Sequence, residues 1–238
     1  MKWKPRVFNK LLGLVGLSAI SVGSAVAAPP YAPYATDAPN AIYDLLFCDD
    51  LAAFAPKLGS MAAPWQTALF AAHPDVAEIE ALAPDTKAES RVRALAYFWL
   101  RTHGHPVPKR VLLGVVVELP LDDGLDVLAA YADGGVRYIN HAGPIAVVEP
   151  GGLPAATQTV ANLMEKAKPV VETIGPSDEP RRAPPEKPNL RMTFIVSDGL
   201  YFGEGPLKVM QVDALAGPVF QQATELLLVV TAAKNSVH

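Results

Sequence analysis

Residues 110–119, RVLLGVVVEL, limit what this chain can fold into more than any other stretch. The run is rich in β-branched residues and almost unbroken in apolar character, where a half-exposed strand would alternate. Such a segment is expected of a strand covered on both faces.

The flanking text sets the fold class. From Ala41 to Gly104 the apolar residues recur at helical spacing, as at Val92, Leu95, Ala96 and Trp99, and Pro64, Pro74 and Pro84 separate successive segments. AIYDLLFCDDLAAF reads as one helix, PWQTALFAA and PDVAEIEALA as two more, and TKAESRVRALAYFWLRTHG as the longest. After the strand, LDVLAAYADGGVRYIN sets Asp133-Gly134 between apolar runs, a tight-hairpin signal because Gly tolerates positive φ and Asp can hydrogen-bond the turn. HAGPIAVVEP adds a further strand. A helix over LPAATQTVANLMEKAKPVVETIG follows, which Pro169 is expected to bend or break. LRMTFIVSDGLYFGEG then repeats the hairpin device at Asp198-Gly199. AGPVFQQATELLLVVTAAKN closes the chain as a helix whose LLLVV stretch is apolar on every face, so the helix is expected to be substantially buried. Strands segregated from an N-terminal helical region indicate α+β, an antiparallel β-meander with packed helices, rather than a doubly wound sheet. Helices on one side of such a meander would leave an open face.

The expected organisation is a single α+β domain over 41–238, with a helical part at 41–104, meander and helix at 109–175, and hairpin and helix at 190–238. Between them, residues 176–189 hold five prolines with mixed charge, expected to form a semi-rigid, solvated connection. Residues 29–40, again Pro- and Ala-rich, are expected to be extended.

Residues 1–28 read as a secretory signal peptide. Lys2, Lys4, Arg6 and Lys10 precede an uncharged run from Leu11 to Ala28 that ends in small residues. Cleavage is expected near residues 27–28, which places the mature protein in a periplasm or outside the cell. Removal takes four of the 20 Lys and Arg and none of the 24 acids, leaving 16 against 24 and a net charge of −8. An acidic exported protein has no electrostatic reason to bind nucleic acid or an anionic membrane surface. One cysteine, Cys48, excludes an internal disulfide framework, and Asp49 and Asp50 beside it oppose formation of a thiolate.

Few residues stand out as chemistry. His103 and His105 are separated by Gly104, and a metal site would need a third ligand such as His141. Basic residues followed by Gly also describe an ordinary helix end, which is the preferred reading. Asp122, Asp123 and Asp126 lack the ligand alternation and closing Glu of an EF-hand loop and fit a polar turn. No metal and no cofactor is therefore expected. The hairpin SDGLYFGEGPLK offers Tyr201, Phe202 and Glu204 as a candidate binding surface. Nucleophile-elbow, P-loop, dinucleotide-binding, zincin and C-x-x-C motifs are all missing. The preferred functional reading is a non-catalytic binding or envelope-assembly role toward a protein or small molecule. The alternative is an exported metal-assisted hydrolase using the three histidines.

Overall fold

The structure is a computed structural model that describes residues 31–57 and 59–235. The expected signal segment therefore lies outside the described residues. Helices α1 (Asp37–Leu45), α2 (Pro64–Phe70), α3 (Val76–Leu82) and α4 (Ser90–Thr102) precede four strands, β1 (Leu112–Pro120), β2 (Leu125–Tyr131), β3 (Val136–Ile139) and β4 (Ile145–Val148). Helix α5 (Pro154–Thr173), strands β5 (Asn189–Val196) and β6 (Gly199–Pro206), a short α6 (Leu207–Met210) and α7 (Ala216–Asn235) complete the chain. All strand pairs are antiparallel, in the order β4-β3-β2-β1-β5-β6, so the protein is α+β.

Strand β1 lies inside the sheet and is buried on both faces. Val115 and Val117 meet α5 and α7 on one side, while Leu113 and Val116 meet the N-terminal helices on the other. The sheet therefore has no open face: helices cover both sides, correcting the one-sided arrangement. Gly114 answers a close approach, since a Cβ there would sit 3.0 Å from the Tyr131 ring and 3.1 Å from the Ala130 carbonyl oxygen. Both Asp-Gly hairpins form where expected. Asp133 also reaches beyond its own turn. Its Oδ2 accepts from the Ser90 amide at 2.6 Å, while Ser90 Oγ accepts from the Asp133 amide at 3.0 Å. The hairpin thereby caps α4, whose own flanking Glu89 offers no side-chain cap.

Four local expectations are corrected. The first helix ends at Leu45, and Cys48 takes φ 52°, so AIYDLLFCDDLAAF is not one helix. Residues 37–40 belong to α1 rather than to an extended lead, and Tyr34 before them is buried, its hydroxyl donating to the Leu125 carbonyl at 3.0 Å. Helix α5 runs through Pro169 without a break, and the proline lies on the exposed side while Ala167, Val170 and Val171 stay packed. Helix α7 buries Val219, Ala223, Leu226 and Val230 on one stripe but leaves Leu228 64% exposed. No described helix is long and apolar enough to cross a membrane.

Candidate functional site

Composition predicts a solvated connection at 176–189, yet residues 176–188 form a strap fixed to the sheet. The Ser177 amide donates to the Leu200 carbonyl on β6 at 2.8 Å, Arg191 Nη1 donates to the Arg182 carbonyl at 3.2 Å, and Pro185 is buried. Arg181 is the main anchor. Its side chain is 4% exposed and sits over the rings of Phe47 at 4.2 Å, Tyr31 at 5.2 Å and Tyr43 at 5.4 Å. Its Nε donates to Asp49 Oδ2 at 2.9 Å and its Nη2 to Asp44 Oδ1 at 3.0 Å. The composition of the strap misleads because a long charged side chain, which composition reads as solvated, here anchors the segment through buried ion pairs and ring contacts.

Between the strap, α4 and the β5–β6 turn lies a cleft of about 380 Å³. Phe98, Ala94, Ile195 and Leu200 give it apolar walls, and Arg101, Arg181, Asp49 and Asp198 give it charge. Asp198 is held by other donors: its two oxygens accept from the Tyr201 hydroxyl at 3.1 and 3.0 Å, and Oδ1 accepts from the Arg110 amide at 3.2 Å. Arg101 is the less committed guanidinium. Nη1 donates to the Ser197 carbonyl at 2.6 Å, and no carboxylate pairs with Arg101 among the described residues. Burial lowers its pKa, opposed by the charge of Asp198. Cys48 also borders the cleft, but burial pushes its thiol up to about 12 despite the opposing charge of Arg91, which keeps it protonated and poorly nucleophilic.

The hairpin singled out in the sequence is placed otherwise. Tyr201 points into the core at 1% exposure. Phe202 lies under the Arg182 guanidinium at 5.1 Å, and Glu204 Oε2 accepts from Arg191 Nε and Nη2 at 2.9 and 2.8 Å. Two of the three side chains are thus engaged in holding the strap region, and the third is removed from the surface, because alternation along β6 sends neighbours to opposite faces.

The histidines are not brought together. His103 and His105 end α4 next to the start of β1, where Arg101 reaches Ser197. His141 sits by the Pro120 end, bonded to Asp126 Oδ1 through its amide at 2.7 Å and Nδ1 at 3.0 Å. The nine residues of β1 separate them by roughly 27 Å. Among the described residues no three His, Cys, Asp or Glu side chains could hold a metal ion. Asp122 pairs with Lys187, Asp123 lies 3.6 Å from His141, and Asp126 accepts from Tyr138 as well as from His141.

HGH is a Schellman helix stop. The His105 amide donates to the Leu100 carbonyl at 2.9 Å and the Gly104 amide to Arg101 at 3.1 Å, with Gly104 at φ +80°. His103 stacks on Trp99 at 3.9 Å, its Nδ1 donating to the Trp99 carbonyl at 2.8 Å. A Cβ on Gly104 would meet nothing within 4 Å, so only backbone strain opposes it. Gly104→Ala is expected to cost about 1–2 kcal/mol, read from urea unfolding.

Arg101, Arg181, Asp44, Asp49, Glu118 and Arg191 escape a reading of the sequence alone. A signal exists for two of them: Glu118 and Arg191 are lone charges inside apolar strands, which demand buried partners. No protein-family model, curated protein or solved structure matches this chain.

Proposed function

We propose that this is an exported, non-catalytic binding protein whose ligand is a small molecule held in the cleft between α4, the β5–β6 turn and the strap. The observation that carries the reading is the cleft itself. At about 380 Å³ it falls within the range of small-molecule sites, and its charged walls are already oriented by internal hydrogen bonds. Pre-formed walls lower the ordering cost of binding. The reading is supported on the negative side by a buried, protonated Cys48 and by histidines held at separate ends of the sheet. The net charge of −8 after removal of residues 1–28 disfavours nucleic acid and anionic membranes as partners.

Native mass spectrometry of protein purified from its own source tests the proposal. A mature chain beginning near residue 28 and carrying a small-molecule adduct is expected. Leu200→Trp, which fills the cleft from the edge strand, should lose the adduct while retaining its circular dichroism. An adduct unaffected by Leu200→Trp would move the site elsewhere. Substrate turnover abolished by one polar substitution would make the protein an enzyme.

A further inference from the structure

We infer that the ligand of this cleft is a monocarboxylate with an apolar body, its carboxylate taken by Arg101. The inference rests on the binding reading above and adds the chemical class.

The two guanidinium groups on the cleft wall differ in what they have left to offer. Arg181 is already bonded to Asp44 and Asp49. Arg101 donates a hydrogen bond only from Nη1, and that bond to Ser197 together with the Phe98 ring, 5.6 Å away, holds its plane in place. A guanidinium carries five N–H donors in a fixed fork, so donors remain for a planar acceptor such as a carboxylate. A partly desolvated cation that feels Asp198 only at a distance, with no carboxylate in ion-pair contact, gains more from an incoming anion than an exposed one does.

The surrounding charge decides between anions. Asp44 and Asp49 share the single charge of Arg181, Glu179 is matched by Arg182, and Asp198 and Asp178 add two more negative charges at the rim. That field resists a phosphate dianion or a dicarboxylate. A single negative charge, taken up by Arg101, is the species this balance tolerates. The rest of the molecule meets Phe98, Ala94, Ile195 and Leu200, which offer no side-chain hydrogen bonds. An aryl or alkyl body therefore fits this part of the cleft.

The test uses the full mature chain and four probes: 4-phenylbutyrate, 4-phenylbutan-1-ol, 4-phenylbutylamine and phenyl phosphate. Affinities are read by calorimetry, and cleft occupancy by loss of binding in Leu200→Trp. The butyrate should bind about tenfold or more tighter than the alcohol, as expected of a charge-assisted pair, and tighter than the phosphate. Arg101→Gln should erase that preference. Asp198→Asn, which keeps an oxygen for Tyr201 and removes a repelling charge, should tighten the butyrate several-fold. This variant moves affinity in the opposite direction, so the outcome does not depend on Arg101→Gln folding. Equal binding of butyrate and alcohol, or weakening in Asp198→Asn, would overturn the inference. If the alcohol or amine occupies the cleft and the butyrate does not, the class is wrong while the binding reading stands. If no probe binds there, both fall.

Discussion

Arg181→Ala is expected to lower folding stability by about 3–5 kcal/mol, the usual cost of removing one member of a buried ion pair. The side chains of Arg181, Asp49 and Asp44 are 4%, 9% and 20% exposed, so water replaces little of what is lost. The substitution leaves two neighbouring carboxylates without their shared cation. Asp49 Oδ1 already has no hydrogen-bond partner, and the loss of Nε strips Oδ2 as well. Three aromatic rings lose the cation they face. Urea unfolding measures the effect, and two controls separate charge from shape. Arg182→Ala, one residue away with its side chain 55% exposed, loses only an exposed ion pair and the Phe202 ring contact and should cost about 1 kcal/mol or less. The triple variant Asp44→Asn, Asp49→Asn, Arg181→Met should recover most of the loss, since buried ion pairs are often replaceable by neutral groups of similar volume. A loss below about 1 kcal/mol for Arg181→Ala would mean the strap is not anchored through this side chain.

The same substitution links stability to the cleft. Arg181 ties the strap, which forms one wall, to the residues after α1, which form another. A loosened strap should weaken any cleft ligand even though Arg181 is not assigned the ligand's charge. Ligand affinity in Arg181→Ala should therefore fall along with stability, and by more than in Arg182→Ala, which leaves the strap anchored and only frees the exposed carboxylate of Glu179.

The parts of this fold legible in the sequence are those specified by neighbouring residues. The doubly covered β1, both Asp-Gly hairpins and the stop at His103–His105 each depend on a few adjacent positions and their φ preferences. The strap is not legible because its composition describes a solvated chain, whereas its anchor pairs with carboxylates 132 and 137 residues earlier. No local pattern announces a partner at that distance. Pro169 misleads for a related reason. Proline removes a hydrogen bond wherever it stands, but the cost depends on which side of the helix faces water, and that is settled by packing. The helical layer covering the second face of the sheet is implicit in β1 itself, since a strand without alternation needs cover on both sides. The cleft has no such signal. Arg101 looks like any basic residue near a helix C-terminus until the β5–β6 turn is placed against it.

Glu118→Gln is expected to remove part of the pH dependence of stability. Glu118 is fully buried on β1, in register with Arg191 on β5, which is in turn in register with Glu204 on β6. The Tyr43 hydroxyl donates to Oε1 at 2.7 Å, but Arg191 Nη1 is 3.8 Å from Oε2, too far for a hydrogen bond, and Oε2 has no other partner. Arg191 instead directs its bonds to Glu204. Burial raises the pKa of Glu118. The Tyr43 bond and the charges of Arg191 and Arg181 oppose the shift, while Glu204 reinforces it. The native state thus holds this proton more tightly than the unfolded chain does. The resulting stabilisation is complete below the unfolded glutamate value of about 4.3 and is lost as pH rises through the raised native value. Measured by urea unfolding from acidic to neutral pH, wild type should lose stability relative to Glu118→Gln over that window. The slope for one proton cannot exceed about 1.4 kcal/mol per pH unit. Glutamine keeps an oxygen for Tyr43, and titrations elsewhere cancel in the difference. A slope of the opposite sign would show that attraction to Arg191 outweighs burial, making Glu118 a native-state anion and the Glu118–Arg191–Glu204 row a true ion-pair network.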